Sequence, residues 1–165
     1  MRVTITCYWT PELDNEDSWK GYARPDDPES MDVHGIKFPP AFLRAVAMEG
    51  CGVGNGKTVT YEGGAWEFID EVKFPMGIDA MGTSLAPYRT IAVDPHQFKM
   101  GKKYHICDLL GRQMPSGIFH DGIVLARDVG GGIGTGHIDF YVGTKAEWLE
   151  IDRWLPAEVN IEELA

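Results

Sequence analysis

The chain has little positive charge and no long apolar run. Its 165 residues include 15 Lys and Arg against 25 Asp and Glu, which gives a net charge of −10. Binding to nucleic acid depends on basic residues that displace the counterions of the phosphates, and no basic face is expected here. No stretch approaches the roughly 18 apolar residues of a transmembrane helix. The composition therefore argues against both a nucleic-acid-binding protein and a membrane-spanning one.

Cysteines and metal-binding motifs are also sparse. The three cysteines show no paired spacing, so at most one internal disulfide is expected. The sequence contains no HExxH motif and no pair of cysteines at zinc-binding spacing. A cation site formed by His137 and Asp139 with the nearby His120 and Asp121 is the weaker alternative. We expect neither a metal nor a cofactor.

The N-terminal sequence MRVTITCYWTPE lacks the charged, apolar and small-residue sections of a signal peptide. Three explanations stay open at this point. The protein is cytoplasmic, it is exported by another route, or the sequence is a domain without its leader.

Glycine and proline are abundant, with 20 and 10 residues, and the hydrophobic fraction is 44%. This composition favours a globular domain of many short strands over a helix bundle. The candidate strands are VTITCYW, KTVTYEGG, WEFIDEVKF, YRTIAVDP, KKYHICDL, DGIVLARD and HIDFYVGT. Their number and length predict a mainly β fold, a small closed or partly closed barrel.

The rest of the chain predicts one or two short helices and one long loop. PPAFLRAVAMEG begins at proline, ends at glycine and has helical apolar spacing, whereas AEWLEIDRWL predicts a capping helix. The acidic, proline-broken stretch at 12–35 predicts a surface loop. We expect one domain over 1–165, with an opening strand at 1–12, a helix at 39–50, core motifs at 88–144 and a helical cap at 145–165.

The segment ARDVGGGIGTGHIDFYVGT, residues 126 to 144, contains the main candidate site. Its glycines resemble a phosphate-binding loop, but a strand follows them, so no helix N-terminus is available for a phosphate. In that strand Ile138, Phe140 and Val142 face one way, and His137, Asp139 and Tyr141 face the other. The second set predicts a polar and aromatic face with one acid at its centre.

Two more aspartates stand at the ends of candidate strands. Asp128 ends DGIVLARD and Asp94 ends TIAVDP, so both can meet Asp139 at the rim of a barrel. Aspartate is also common at turns for purely structural reasons, and this interpretation stays open for Asp94 and Asp128. No serine or cysteine lies in a nucleophile-elbow sequence.

Four segments, in order, resemble a known family. VTITCYWTPE resembles the tyrosine-rich opening strand of the membrane-bound lytic transglycosylase A group. FLRAVAMEGCGVGNGKTVTY resembles its helix and glycine-rich hairpin, and RTIAVDPHQFKMGKKYHI its VAVDP segment. DGIVLARDVGGGIGTGHIDFYVGT resembles the end of its three-aspartate (3D) domain. The chain is thus identified as similar to the 3D-domain murein transglycosylases.

The resemblance implies a double-psi β-barrel that acts outside the cytoplasm, in the periplasm, in the cell wall or as a secreted protein. It implies cleavage of the β-1,4 bond between N-acetylmuramic acid and N-acetylglucosamine in peptidoglycan, with formation of a 1,6-anhydro end. Carried over by position, the catalytic acid is Asp139 and its companion aspartates are Asp128 and Asp94. The residues expected to contact or surround the glycan are Tyr8, Trp9, Gly130, Gly131, His137 and Tyr141.

The sequence departs from the family pattern near the site. The family's threonine after the second aspartate is Val129, and Gly134 and Thr135 stand where the family has a lysine in the glycine segment. In the opening strand, Cys7 and Trp9 replace family residues. These changes keep two alternatives open: a non-catalytic glycan-binding module on the same barrel, and a water-using glycosidase with Asp128 as base.

Overall fold

A computed structural model describes all residues, 1–165, and shows a mainly β chain with two α-helices. The strands and helices, in chain order, are β1 (Arg2–Tyr8), β2 (Met31–Val33), β3 (Ile36–Phe38), α1 (Pro40–Glu49), β4 (Cys51–Gly54), β5 (Lys57–Glu62), β6 (Ala65–Ile69), β7 (Thr90–Ala92), β8 (Lys103–Ile106), β9 (Ile123–Asp128), β10 (His137–Tyr141), α2 (Lys145–Asp152) and β11 (Glu158–Glu163). Three short 3-10 helices lie at Glu16–Ser18, Lys20–Tyr22 and Cys107–Leu109.

The contacts within the chain divide it into two compact units, and the single domain over 1–165 stays a prediction. The first unit comprises Met1–Tyr8, Asp79–Gly82 and Ala86–Ala165, and the second comprises Trp9–Ile78 and Thr83–Leu85. No helix in the structure combines the length and the apolar character needed to cross a membrane.

The first unit is a closed six-stranded barrel with the strand order β1-β10-β7-β9-β8-β11. Two of its strand pairs, β1 with β10 and β7 with β9, are parallel, and the other neighbours are antiparallel. Alternating apolar residues such as Ile5, Val124 and Ile138 point inward and are almost fully buried. The period of two therefore decides which side chains form the core and which stay outside.

The last strand corrects the prediction of a helical cap over 145–165. Helix α2 begins as expected, because the Thr144 hydroxyl and the Glu147 carboxylate form a reciprocal capping box. The helix ends at Asp152, and β11 then pairs with both β1 and β8 and closes the barrel. Val159 and Ile161 alternate with polar residues and are 2% exposed. This alternation was present in the sequence, but the surrounding glutamates obscured it.

The second unit packs α1 against a three-stranded antiparallel sheet, β4-β5-β6. Phe38, Phe42 and Val59 are fully buried in its core. Helix α1 begins after Pro39, as expected, and ends at Glu49, where the capping residue Gly50 has a φ of 100° that suits glycine. The predicted loop at 12–35 contains two of the 3-10 helices and strand β2, which pairs with β3.

All three cysteines are free thiols. Cys7 is half-buried in β1, Cys51 is buried and Cys107 is exposed. Burial, together with the nearby charges of Asp139 and Asp152, raises the pKa of the Cys7 thiol well above its usual range. Cys7 is therefore protonated and poorly reactive at neutral pH.

Candidate functional site

One row of residues crosses four neighbouring strands of the barrel. Thr6 of β1 pairs with Asp139 of β10. Asp139 in turn pairs with Ala92 of β7, and Ala92 pairs with Asp128 of β9. A register shift between Ile91 and Ala92 skips one residue of β9, and this irregularity aligns Asp128 with the row. Since neighbouring strands lie about 4.8 Å apart, the two aspartates are separated by two strand spacings.

Asp139 is half-buried, whereas its strand neighbours Ile138 and Phe140 are fully buried on the opposite face of β10. Its Oδ1 accepts a hydrogen bond of 2.9 Å from the Thr6 hydroxyl. Burial of the carboxyl group, with a smaller contribution from the charge of Asp128, raises the pKa of Asp139 to about 6, although the bond from Thr6 opposes this rise. Asp139 is thus an acid that holds its proton close to neutral pH.

This raised pKa predicts a stability cost at neutral pH. Between pH 3.8, the ordinary pKa of the group, and about pH 6, the folded state binds the proton more tightly than the unfolded state does. The free energy of unfolding therefore falls as pH rises through that window and is constant above it. The full shift corresponds to about 3 kcal/mol, and solvent screening of a half-buried group reduces this to about 1–2 kcal/mol.

Asp139→Asn is accordingly expected to be more stable than the parent protein by about 1–2 kcal/mol at neutral pH, and equally stable near pH 4. Urea unfolding of both proteins at the two pH values measures the difference, and the subtraction cancels the titration of all other groups. Equal stability at neutral pH would show that Asp139 ionises with an ordinary pKa.

Asp128 is also half-buried, but each of its carboxylate oxygens accepts a hydrogen bond from the protein. Oδ2 accepts a 2.8 Å hydrogen bond from the Tyr8 hydroxyl, and Oδ1 accepts one of 3.0 Å from the backbone N–H of Ala80. Burial raises the pKa of Asp128, while these bonds and one from the backbone of Val129 oppose the rise. Asp128 therefore anchors neighbouring parts of the unit as well as repelling a charge on Asp139.

The segment Asp79–Gly82, which the sequence analysis did not single out, supports Asp128 from outside the barrel strands. The Asp79 side chain is completely buried and its Oδ2 lies 3.3 Å from Nε of Arg127. Its Oδ1 accepts from the backbone N–H of Met81, which fixes the turn that presents Ala80 to Asp128. An aspartate in GIDAMG was the only signal in the sequence, and aspartates at turns are too common for that signal to be specific.

Asp94 has the local capping role that the sequence left open. Its Oδ1 accepts from the backbone N–H of His96, and its carbonyl oxygen accepts from those of Gln97 and Phe98. Its Oδ2 also accepts a 3.1 Å bond from the Thr135 hydroxyl. Asp94 thus holds the glycine segment in place and makes no hydrogen bond to the other two aspartates.

The glycine segment, residues 129–136, joins β9 to β10 and is mostly exposed. At Gly131, Gly132 and Gly134 a Cβ atom would meet no protein atom within 4 Å, and none of these residues has a positive φ. Gly130 would meet only the Ile133 side chain closely. The protein itself does not require glycine at these positions, so their shared property is a bare backbone that faces solvent.

The aromatic residues predicted to contact the glycan are buried. Tyr8 is 5% exposed and Tyr141 is 0% exposed, and their ring centroids lie 5.1 Å apart. Trp9 belongs to the second unit, is 8% exposed and donates its indole N–H to the carbonyl oxygen of Ser18. Direct contact of these rings with a substrate stays a prediction that their burial does not favour. Half-buried His137 lies on the same face of β10 as Asp139.

His120, the second histidine of the alternative cation site, has both ring nitrogens engaged in hydrogen bonds. Nε2 of His120 lies 2.6 Å from the carbonyl oxygen of Tyr88, and its Nδ1 accepts from the backbone N–H of Gly122. Burial lowers the pKa of this histidine, which is only 1% exposed. His120 is therefore a structural residue that joins two backbone segments, and it has no nitrogen left for a metal. No group of three His, Cys, Asp or Glu side chains is arranged to hold a metal ion.

Comparisons with known proteins identify a similar sequence family and a shared fold. The sequence model of the 3D domain matches residues 89–153, which contain β7 to β10, α2 and all three candidate aspartates. No curated protein sequence matches the chain.

Several solved structures share the fold over almost the whole chain at low sequence identity. Escherichia coli MltA with bound chitohexaose superposes with a TM-score of 0.61 and 13% identity, over 99% of this chain and 71% of that one. A membrane-bound lytic murein transglycosylase from Agrobacterium tumefaciens gives 0.60 and 15%, over 98% and 72%. The lytic transglycosylase LtgG of Burkholderia pseudomallei gives 0.54 and 12%, over 99% and 73%.

The predicted mainly β fold is confirmed as the MltA-like double-psi barrel. The resemblance read from the sequence is therefore confirmed: the 3D-domain model matches residues 89–153, and the chain shares its fold with the MltA-type lytic transglycosylases.

Proposed function

We propose that this protein is a peptidoglycan lytic transglycosylase with Asp139 as its single general acid and base. The observation that carries the proposal is the half-buried carboxyl group of Asp139, whose pKa of about 6 lies in the range that proton transfer at neutral pH requires. At pH 7 about a tenth of the molecules hold the proton. The others become competent for catalysis by taking up a proton, at a small cost in free energy.

The reaction needs one group that first gives and then takes a proton. Asp139 donates its proton to the glycosidic oxygen as the bond to C1 of N-acetylmuramic acid breaks, and N-acetylglucosamine leaves as the alcohol. The resulting carboxylate accepts the proton of the C6 hydroxyl, whose oxygen attacks C1 and closes the 1,6-anhydro ring. Asp139 ends protonated, as it began, and no water is consumed.

The environment of Asp128 favours this reaction over hydrolysis. An inverting glycosidase uses a second carboxylate as the base that activates a water molecule. In Asp128 the Tyr8 hydroxyl donates to one oxygen and the backbone N–H of Ala80 to the other, and these bonds stabilise the carboxylate and make it a weaker base. The charge of Asp128 instead contributes to keeping Asp139 protonated.

The glycine segment and the shared fold support a glycan substrate. A bare, exposed backbone at Gly130 and Gly131 lets a long, rigid sugar chain approach closely. Escherichia coli MltA, of the same fold, has been crystallised with bound chitohexaose, itself a β-1,4-linked glycan. A peptidoglycan substrate places the working protein outside the cytoplasm, in the periplasm, in the cell wall or in the secreted fraction.

Product analysis tests the proposal. The protein is incubated with purified peptidoglycan, and the released muropeptides are examined by mass spectrometry. We expect 1,6-anhydro ends. Reducing ends, heavier by one water, would instead identify a hydrolase. Binding to the sacculi without release of any muropeptide would identify a non-catalytic glycan-binding module.

A further inference from the structure

The Thr6 hydroxyl links Asp139 to His137. Thr6 Oγ1 lies 2.9 Å from Oδ1 of Asp139 and 2.7 Å from Nε2 of His137. All three side chains project from the same face of the paired strands β1 and β10, since His137 and Asp139 are two residues apart and Thr6 is in register with Asp139. Thr6 is exposed and the other two are half-buried, so the chain of hydrogen bonds lies at the surface of the barrel.

A hydroxyl group has only one proton to donate, which couples its two neighbours. When Thr6 donates to an ionised Asp139, its oxygen can only accept from His137, and Nε2 must then carry a hydrogen. When Asp139 is protonated at Oδ1 and donates to Thr6, the hydroxyl proton turns to His137, and Nε2 must be bare. Both arrangements satisfy every atom, and a neutral His137 fits either one, with its hydrogen on Nε2 in the first and on Nδ1 in the second.

We propose that Thr6 is a two-way hydrogen-bond relay through which protonation of Asp139 at Oδ1 sets whether Nε2 of His137 carries a hydrogen. A protonated His137 has hydrogen on both ring nitrogens, so it favours the arrangement in which Thr6 donates to the Asp139 carboxylate. A neutral His137 follows either state of Asp139 by changing the ring nitrogen that holds its hydrogen. Thr6 and His137 are then positioning residues that act on the catalytic residue.

The meaning of the relay for catalysis rests on the proposed function. Transfer to the sugar uses a proton on Oδ2 of Asp139, since a proton on Oδ1 points at Thr6. In that state Thr6 donates to Oδ1 before and after the transfer, so it stabilises the carboxylate that forms and leaves Oδ2 to the substrate. The arrangement with the proton on Oδ1 is a resting form of the same link.

Other titratable groups near Asp139 do not form a similar link. Cys7 and Tyr8 of β1 sense its charge, but burial and the surrounding carboxylates keep both in their neutral forms. Asp128 of β9 repels it, and β7 contributes only Thr90, Ile91 and Ala92. The Thr6 hydroxyl is the one group that hydrogen bonds to both Asp139 and His137.

An NMR titration without substrate tests the relay. In labelled parent protein, the ring-nitrogen signals of His137 are expected to show a step that coincides with the titration of the Asp139 carboxyl carbon, as the hydrogen moves between Nε2 and Nδ1. In Thr6→Val, which has the same shape without the hydroxyl, that coincident step disappears from His137. The Asp139 titration also moves up by about one pH unit, because the carboxylate has lost its donor.

Two variants control this experiment. Thr6→Ser keeps a hydroxyl and is expected to restore the coincident step. Thr4→Val removes a hydroxyl from an exposed residue of the same strand, next to His137 in register, and is expected to behave like the parent protein. Ring-nitrogen signals of His137 that keep the coincident step in Thr6→Val would overturn the relay.

The titration and the enzymatic assay separate the two proposals. Because the NMR measurement requires no catalysis, a parent protein without anhydro products but with the coincident step would refute the function and retain the relay. If the parent is active, the pH profile of product release is expected to move upward in Thr6→Val together with the Asp139 titration. An unmoved pH profile in that variant would remove the relay from the mechanism.

Discussion

Asp139→Asn is expected to lower the rate of anhydro-muropeptide release by about 10³-fold, which is the typical contribution of a general acid and base. The amide cannot give a proton to the leaving oxygen or take one from the C6 hydroxyl. The side chain keeps its size, and its oxygen can still accept the hydrogen bond from Thr6. Initial rates on purified sacculi, followed by chromatography of the soluble products, measure the loss.

The control removes a charge without touching the row of Thr6, Asp139, Ala92 and Asp128. Asp152→Asn changes an exposed carboxylate at the end of α2 in the same unit and is expected to keep full activity. Substantial activity in Asp139→Asn would contradict the assignment of the acid. An equal loss in both variants would show that net charge, rather than proton transfer, governs the assay.

Gly131→Leu is expected to lower the same activity by about 10- to 100-fold with almost no effect on stability. A Cβ atom at this position meets no protein atom within 4 Å, so the leucine side chain projects into solvent. Exposed substitutions of this kind change the free energy of unfolding by about 0.5 kcal/mol or less. A glycan that must pass over the segment would be held away from Asp139, and a displacement of about 1 Å is enough for a large loss of rate.

Gly21→Leu is the matched control. Gly21 is also exposed, lacks a positive φ and has open space around its would-be Cβ atom, but it lies in the second unit. Its replacement is expected to leave both stability and activity unchanged. Full activity of Gly131→Leu on intact sacculi would mean that the substrate does not approach over the glycine segment.

Local patterns were enough to find most elements of the barrel. The alternation in VTITCYW and HIDFYVG predicted strands whose apolar faces form the core, and Ile138 and Phe140 are indeed fully buried. Helix α1 was equally visible because its proline start and glycine end are local signals. Strand β11 was missed, since two apolar residues among glutamates are a weak signal until a closed barrel offers them a partner on each side.

The resemblance of short segments identified Asp139 as the candidate acid, but the sequence could not assign the partners that control its proton. Thr6 is separated from Asp139 by 133 positions, and only the parallel pairing of β1 with β10 makes them neighbours. Asp128 enters the same row through one skipped residue of β9, which no spacing in the sequence reveals.

The sequence by itself determined the fold class, the family resemblance and the chemical types available at the site. The tertiary structure alone decided which of these groups is an acid near neutral pH and which are supports. In the folded chain Tyr8 and Tyr141 are buried, and each oxygen of Asp128 accepts a hydrogen bond. Asp94 accepts a hydrogen bond from the glycine segment and holds it in place. The physical reason is that burial and hydrogen bonding, which set a pKa, depend on strand register and on contacts between distant parts of the chain.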